Sequence, residues 1–435
     1  MTGRRQTRST FLSRLLTRPV RARALTAGAL VACVPLTAGC GVVPGAPGDS
    51  GGDTVTVMTW APGEAGGTNR SGMPAFAEAY ARWINSRGGI DGRRLSVLTC
   101  DERNDAAAAA RCARRAVEEG AVAVVGSYSQ HADSFLPTLE AAGIPYIGGY
   151  GITNDEFTSP LSYPVNGGQP ALLAGLGRTL ADSCGPVTLI RPDTIAGDQL
   201  PPLLGSGLKA GGHELAGDQR AAETATSYDG QAKRALERAT AGAAAEPGCV
   251  VPALGDRTGT FMDSFRRSRG DYPDVRTATV LGSVDQSVID ATGGASGPYE
   301  GSYVTGWYPA AGDARWNTMK DVIRKEGFGD NRIDAADAGV QTTWIAYAVL
   351  RQAVESLDGE VSADTVSGAL DSGLKVTTGG LTPTLRWRFQ DELAAVGFPR
   401  LVNAYVTLQV VEGGRLVAAR EGFTDVTKTL READL

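Results

Sequence analysis

From Thr54 onward, strand-like and helix-like segments alternate, and this alternation restricts the chain to a small set of folds. Thr54 to Thr59 is a β-branched run. Pro74 to Ser86 has helical spacing, with Phe76, Ala77, Tyr80, Ala81 and Ile84 on one face, and Gly88-Gly89 stops it. Leu95 to Thr99 reads as strand, and Asn104 or Asp105 can cap a helix running through Glu119. Ala121 to Val125 is a buried-type strand, Phe135 to Ala142 a helix, and Pro145 to Ile147 a further strand. The order β-α-β-α-β predicts a parallel sheet with helices on both faces. The pattern then restarts with helix Ala171–Ser183, strand Val187–Ile190, helices Leu200–Ala210 and Ser227–Thr240, strand Val250–Leu254, helix Phe261–Ser268 and strand Thr279–Leu281. Two such runs in 435 residues predict two Rossmann-like α/β lobes. Ala335 to Leu357 is a long helical stretch. Tyr405–Val411 and Arg415–Ala418 read as a hairpin about Glu412-Gly413-Gly414, which belongs to neither parallel run.

The first 39 residues stand apart from this folded pattern. They carry seven arginines and no acidic residue, then an apolar stretch from Ala24 to Leu36 and the small residues Thr37, Ala38 and Gly39. A charged start, a short apolar core and small residues make an export signal. Thirteen residues rise only about 20 Å as a helix, short of the roughly 30 Å hydrocarbon core of a bilayer. Leu36-Thr37-Ala38-Gly39-Cys40 resembles a bacterial lipobox, which implies a lipidated Cys40 as first residue of the mature chain; a plain secretory signal is the alternative. Residues 40–52, rich in Gly, Pro, Ser and Asp, read as a flexible tether. The expected location is therefore the outer face of the cell membrane, held by lipid alone.

Loss of the signal leaves 35 basic residues against 48 acidic ones, a net charge of −13. A body this acidic argues against nucleic acid and anionic membrane surfaces as partners. The cysteines left after Cys33 and Cys40 are Cys100, Cys112, Cys184 and Cys249, which outside the cell allow three disulfide pairings. Pairing neighbours, Cys100–Cys112 and Cys184–Cys249, keeps each bridge within one predicted lobe. A metal site is not expected: no C-x-x-C spacing occurs, and the only histidines are His131 and His213.

Motifs for catalysis are also missing. G-x-S-x-G occurs once, at Gly48–Gly52 inside the tether, without the strand and helix that a nucleophile elbow needs. No H-E-x-x-H is present, and S-x-x-K at Ser206–Lys209 and Ser372–Lys375 lacks a K-T-G partner. Gly149-Tyr150-Gly151 and Gly175-Leu176-Gly177 do not extend to G-x-G-x-x-G, so no cofactor is expected. In open parallel sheets, ligands sit beyond the carboxyl ends of the strands. That rule selects the loops Trp60–Ala65, Gly126–His131 and Gly148–Thr153 from the first run. From the second it selects Arg191–Asp198, Gly255–Gly259 and Gly282–Gln286.

Trp83-Ile84-Asn85-Ser86-Arg87-Gly88-Gly89-Ile90-Asp91-Gly92-Arg93-Arg94-Leu95 resembles the opening of type I periplasmic binding proteins of the branched-chain amino-acid-binding family. Asp101, Asp105 and Ala109, then Val122–Gly126, then Ala141–Ile147, follow in the family's order and spacing. The likeness is strong from Thr54 to Pro164 and looser through Arg415. It implies two lobes joined by a three-strand hinge, with crossings near Pro164–Gly168, Val304–Gly306 and Thr377–Thr382. Lobe one is then residues 53–165 plus 305–376, and lobe two 168–303 plus 383–435. It implies a monomeric receptor that captures an amino acid or similar small polar solute and delivers it to an ABC permease complex. A sensing subunit of a signalling receptor and an extracytoplasmic hydrolase are the alternatives.

The resemblance also implies site roles. Ser129 and Gln130 lie in the loop that holds an amino acid's carboxylate. Gly149, Tyr150, Gly151 and Thr153 match the loop whose backbone and threonine touch the same ligand. Asp285, or Ser283, lies where a carboxylate receives the ammonium. Arg257 stands where an aromatic is common, and Asp193–Gly197 lacks the family's aromatic beside glycine, so an ordinary branched-chain amino acid is not the implied ligand. Trp60 is expected to line the cleft. Each residue also has a plainer reading: Ser129 as a helix cap, Thr153 and Asp285 as turn residues, Tyr150 and Trp60 as packing.

Overall fold

The computed structural model describes residues 54–63, 68–194, 197–222, 224–241 and 246–433, with the side chains of Asp256 and Asp271 left undescribed. The signal, Cys40, the tether, and Ile195 and Ala196 of the Asp193–Gly197 loop lie outside the described residues.

Sheet one contains β1 (Thr54–Ala61), β2 (Arg94–Asp101), β3 (Ala123–Val125), β4 (Tyr146–Ile147) and β5 (Ser162–Tyr163). Its order is β2-β1-β3-β4-β5 and every pair is parallel. Helices α1 (Gly72–Asn85), α2 (Ala106–Glu118) and α3 (Ala132–Ala141) connect the strands. Asp105 caps α2, accepting the Ala108 amide at 2.8 Å. Strand alternation splits β1 between two cores. Val55, Val57 and Ala61 pack with α1, whereas Met58 and Trp60 pack with α2 and α3.

Sheet two is mixed. Strands β6 (Val187–Pro192), β7 (Leu215–Ala221), β8 (Cys249–Pro252), β9 (Arg276–Val280) and β10 (Tyr303–Gly306) run parallel in the order β7-β6-β8-β9-β10. The expected hairpin, β11 (Tyr405–Glu412) and β12 (Arg415–Ala418), adds antiparallel at the β10 edge, and β13 (Thr424–Asp425) pairs with β11. Helices α4 (Gly168–Ser183), α5 (Leu200–Ala210), α6 (Asp229–Ala239), α7 (Thr258–Ser268) and α8 (Gln286–Ala291) belong to this run. After β10, helices α9 (Asn317–Glu326) and α10 (Ala338–Glu355) return to pack on α1, followed by α11 (Ala363–Asp371) against α10. The short α12 (Thr427–Arg431) closes the chain against α4 and α5.

Both expected disulfides form. Cys100–Cys112 ties β2 to α2, and Cys184–Cys249 ties the end of α4 to the start of β8, each with Cα atoms 5.8 Å apart.

Three segments connect the sheets. One follows β5, at Pro164–Gly167, and one follows β10, at Trp307–Pro309. The third differs from the crossing expected at Thr377–Thr382: it lies at Leu401–Ala404. Residues after Thr382 still pack beside sheet one, because Trp387 donates its indole N–H to the Pro164 carbonyl at 2.9 Å. Phe398 meets Phe157 edge-on, and Arg400 reaches the Ser162 carbonyl at 3.1 Å. Side chains stitch the segments together. Asn403 donates to the Val165 carbonyl at 3.0 Å, Asn166 to the Tyr308 hydroxyl at 3.1 Å, and Trp307 to the Gly168 carbonyl at 2.9 Å.

Candidate functional site

In each sheet the strand order reverses once, between β1 and β3 in sheet one and between β6 and β8 in sheet two. Loops leaving neighbouring strands diverge at such points and open a crevice. Loops from the two sheets meet beside the connecting segments: Arg70, after β1, reaches the Gly282 carbonyl, after β9, and Asn154, after β4, reaches Gln199, after β6.

Arg70, from the β1–α1 loop, is the centre of this meeting. Its guanidinium lies over Tyr128 and Tyr150, 5.8 Å and 5.5 Å from their centroids, and pairs with Asp337 at 3.0 Å. It also donates to the Gly282 carbonyl of sheet two at 3.3 Å. Tyr150 packs edge-on against Tyr128 at 5.0 Å and Trp307 at 5.1 Å. Its ring end lies against Gly282, where an added Cβ would come within 2.5 Å of the hydroxyl. Gly282 has φ +92°, so both its conformation and this approach require glycine. Among the described residues the Tyr150 hydroxyl has no hydrogen-bond partner, although the side chain is 4% exposed. Burial pushes its pKa up, with Arg70 opposing. A further cross-lobe hydrogen bond joins Asn154 to Gln199 at 3.1 Å. Two open recesses lie elsewhere, one of about 600 Å³ by Arg269 and Arg276 and one of about 380 Å³ beside Glu78 and Asp101.

The structure brings only part of the expected set to this cleft. Gln130 is there, exposed, donating to the Tyr128 hydroxyl at 3.0 Å. Tyr150 is there, with its ring forming the wall. Ser129 is buried: its hydroxyl donates to the Glu102 carboxylate at 2.9 Å and accepts the His131 amide at 3.0 Å. The Gly149–Thr153 loop wraps a second buried carboxylate. Glu156 accepts the amides of Gly151, Ile152 and Thr153 at 3.0–3.1 Å and the Thr153 hydroxyl at 3.1 Å. Gly149 leaves room for this, since a Cβ there would lie 2.2 Å from Glu156 Oε2. Asp285 caps α8, accepting from Val288 and the Ser287 hydroxyl. Arg257 is exposed at the entry to α7. Trp60 is a correction: its side chain is fully buried, 5.0 Å from Phe135 and 6.2 Å from Tyr146, because its place in β1 points it toward α2 and α3. It does not line the cleft.

Glu102 and Glu156 are charged groups of the kind that composition alone places at the surface. Burial raises the pKa of both carboxyls, while hydrogen bonds from Ser129 to Glu102 and from the Gly151–Thr153 amides to Glu156 oppose the rise. Among the described residues no cluster of three or more His, Cys, Asp or Glu could hold a metal ion. No described helix is long and apolar enough to cross a membrane.

A family model described as periplasmic binding protein matches residues 58–396. The chain belongs to the periplasmic binding protein family. Its fold is the type I form, two α/β lobes with a parallel and a mixed sheet. A branched-chain amino acid ABC transporter protein from Thermus thermophilus with bound valine superposes with a TM-score of 0.67, at 18% identity, covering 86% of this chain and 98% of that one. A solute-binding protein from R. palustris in complex with 4-hydroxybenzoate gives 0.68 at 14% identity, over 86% and 97%. An ABC transporter substrate-binding protein from Aeropyrum pernix gives 0.67 at 17% identity, over 87% and 99%. No curated protein matches the chain in sequence. Two of these neighbours are described as ABC transporter proteins, one holding valine and the other 4-hydroxybenzoate.

Sequence reasoning missed Arg70, Asp337, Tyr128, Glu102 and Glu156. Arg70 follows the Trp60–Ala65 loop that strand order had selected, and reading that loop on to the start of α1 reaches it. Asp337 comes from the N-cap of α10, more than 250 residues away in sequence, and no local signal joins the two.

Proposed function

We propose that this chain is a lipid-anchored extracytoplasmic receptor that captures a small polar solute between its lobes, does no chemistry on it, and delivers it to an ABC importer. The observation that carries the reading is the cleft itself: Arg70, Tyr128 and Tyr150 from one sheet's loops meet Gly282 from the other's, over three connecting segments. Contacts made only when the lobes meet favour the closed state, so a solute that bridges them shifts the population toward closure. A permease then distinguishes loaded from unloaded receptor by shape.

The test is a thermal-shift screen of amino acids, amides, amines and aromatic acids, followed by small-angle scattering. A bound solute is expected to raise the melting temperature and lower the radius of gyration. A tight solute that leaves scattering unchanged overturns the closing cleft. Anchoring through Cys40 is tested separately: palmitate label should enter the wild type and not Cys40→Ser, and an unlabelled wild type overturns it.

A further inference from the structure

We propose that the cleft is built for a cationic solute, one carrying a guanidinium or amine head, and that Arg70 is an internal stand-in seated where that head binds. This rests on the solute-binding reading and gives it a substrate class.

The donors that would hold a ligand carboxylate on lobe one are already engaged from within. Three amides and the Thr153 hydroxyl hold Glu156, and the Ser129 hydroxyl holds Glu102. Another carboxylate there would have to evict one of these or sit beside it, and like charges at close range repel.

The groups around Arg70, by contrast, form a seat for a cation. Asp337 supplies a carboxylate oxygen at 3.0 Å, Gly282 a carbonyl at 3.3 Å, and Tyr128 and Tyr150 two aromatic rings within 6 Å. Aromatic faces attract cations through their quadrupole, most strongly where water is excluded. The pair is well buried, with side-chain exposures of 13% for Arg70 and 19% for Asp337. Asp285 is near enough to Asp337 and to Tyr150 for electrostatic interaction, so a second carboxylate lies beside the seat. The unpartnered Tyr150 hydroxyl, aimed at Gly282, is an acceptor that a ligand N–H can complete.

Exchange of one cation for another keeps Asp337 paired throughout. An anion seated at Arg70 would instead displace Asp337 and leave a partly buried carboxylate without its partner, a costly arrangement. Arg70 lies between β1 and α1 with its backbone bonded to Pro62 and Met73, so vacating the seat is a movement of its side chain alone. As an internal competitor it lowers apparent affinity by the fraction of time it occupies the seat.

The experiment is calorimetric titration of the full chain in detergent with agmatine, L-valine and 4-hydroxybenzoate, repeated on Arg70→Ala and Asp337→Asn. Asparagine can keep the cap that Asp337 gives α10, so that variant is expected to fold. Agmatine is expected to bind the wild type, to bind Arg70→Ala about tenfold more tightly, and to bind Asp337→Asn about tenfold more weakly. If Arg70 held a ligand anion, Arg70→Ala would lose binding instead, so the two readings predict opposite signs. Binding of valine or 4-hydroxybenzoate without agmatine, or loss of binding in Arg70→Ala, overturns the proposal and leaves the receptor reading standing. No response from any solute in the wider screen overturns both.

Discussion

The two lobes present the cleft with differently prepared surfaces. On lobe one, the Ser129 and Gly149–Thr153 loops are fixed from behind by buried glutamates, which satisfy the amides and hydroxyls of the loops. On lobe two, the corresponding loops offer a glycine carbonyl, an exposed Arg257 and an Asp285 engaged as a helix cap. The difference teaches how the binding task divides. Lobe one is a rigid, preorganised wall with its aromatic rings in place, and lobe two is a plainer surface that completes the site by approach.

The largest test of that division is to loosen each lobe's own frame. Cys184–Cys249 encloses a separation of 65 residues and Cys100–Cys112 one of 12. Loop entropy assigns about 4 kcal/mol to the first and about 3 kcal/mol to the second. Paired Cys→Ala variants, measured by chemical denaturation, should rank in that order. A larger loss from the short bridge would mean that lobe one's stability resides in β2 and α2 rather than in its buried carboxylates.

Glu156 tests the rigid wall directly. Glu156→Ala leaves three amides and a hydroxyl without their acceptor, and a loss on the order of 3 kcal/mol is expected. Its titration has a definite sign. Burial raises its folded pKa and that of Glu102 above the usual glutamate value, so the folded state holds these protons more tightly than the unfolded chain. Their contribution is therefore greatest below the unfolded pKa and is lost as pH rises through the raised folded value. Asp313, held down to about 2 mainly by hydrogen bonds from Arg315, works oppositely: its contribution is present above 3.8 and lost as pH falls toward 2. Glu156→Gln should flatten the upper limb of a stability–pH curve and leave the lower limb alone. An unchanged upper limb would show that Glu156 is ionised at no cost.

How far the sequence reveals these features depends on whether a local pattern encodes them. Asp105 as a cap, the Glu412–Gly414 turn and most of the parallel strands follow from spacing, because backbone geometry imposes that spacing. Strand β7 escaped because Leu215-Ala216-Gly217-Asp218-Gln219-Arg220-Ala221 is an edge strand with a polar outer face, so it carries little apolar signal. The third crossing was placed some twenty residues early because Trp387 and Arg400 hold to sheet one through carbonyls of Pro164 and Ser162, contacts no periodicity encodes. At the site, strand order picked the right loops but not which side chains inside them face the cleft. Ser129 and Thr153 turn toward glutamates that a sequence reading places in solvent.

A third test acts on the approach of lobe two. Gly282→Ala would place a methyl 2.5 Å from the Tyr150 hydroxyl, on a backbone with φ +92°. The lobes should then stop short of closure, with solute affinity reduced about tenfold and little shrinkage in small-angle scattering. Thermal stability without solute should fall by about 1 kcal/mol, from backbone strain alone. Normal closure in this variant would show that Tyr150 swings aside, and that the wall is not rigid.

The smallest expected effect separates the two regions most cleanly by light. Trp307, in a connecting segment, packs 5.1 Å from Tyr150 and donates its indole N–H to Gly168 at the start of α4, so its surroundings change when the lobes move. Trp60 lies behind the wall, between Phe135 and Tyr146, where no lobe movement reaches it. Emission should therefore shift on solute binding in the wild type and in Trp60→Phe, and the binding response should be lost in Trp307→Phe. The change will be modest, because Trp307 is only 2% exposed and never enters bulk water. Trp316 and Trp387 also donate to connecting segments, at Pro309 and Pro164, so Trp316→Phe and Trp387→Phe are measured alongside Trp307→Phe to assign the response. A response that survives in Trp307→Phe and vanishes in Trp60→Phe would place the moving surface inside lobe one, and the division of labour between a fixed wall and an approaching lobe would be reversed.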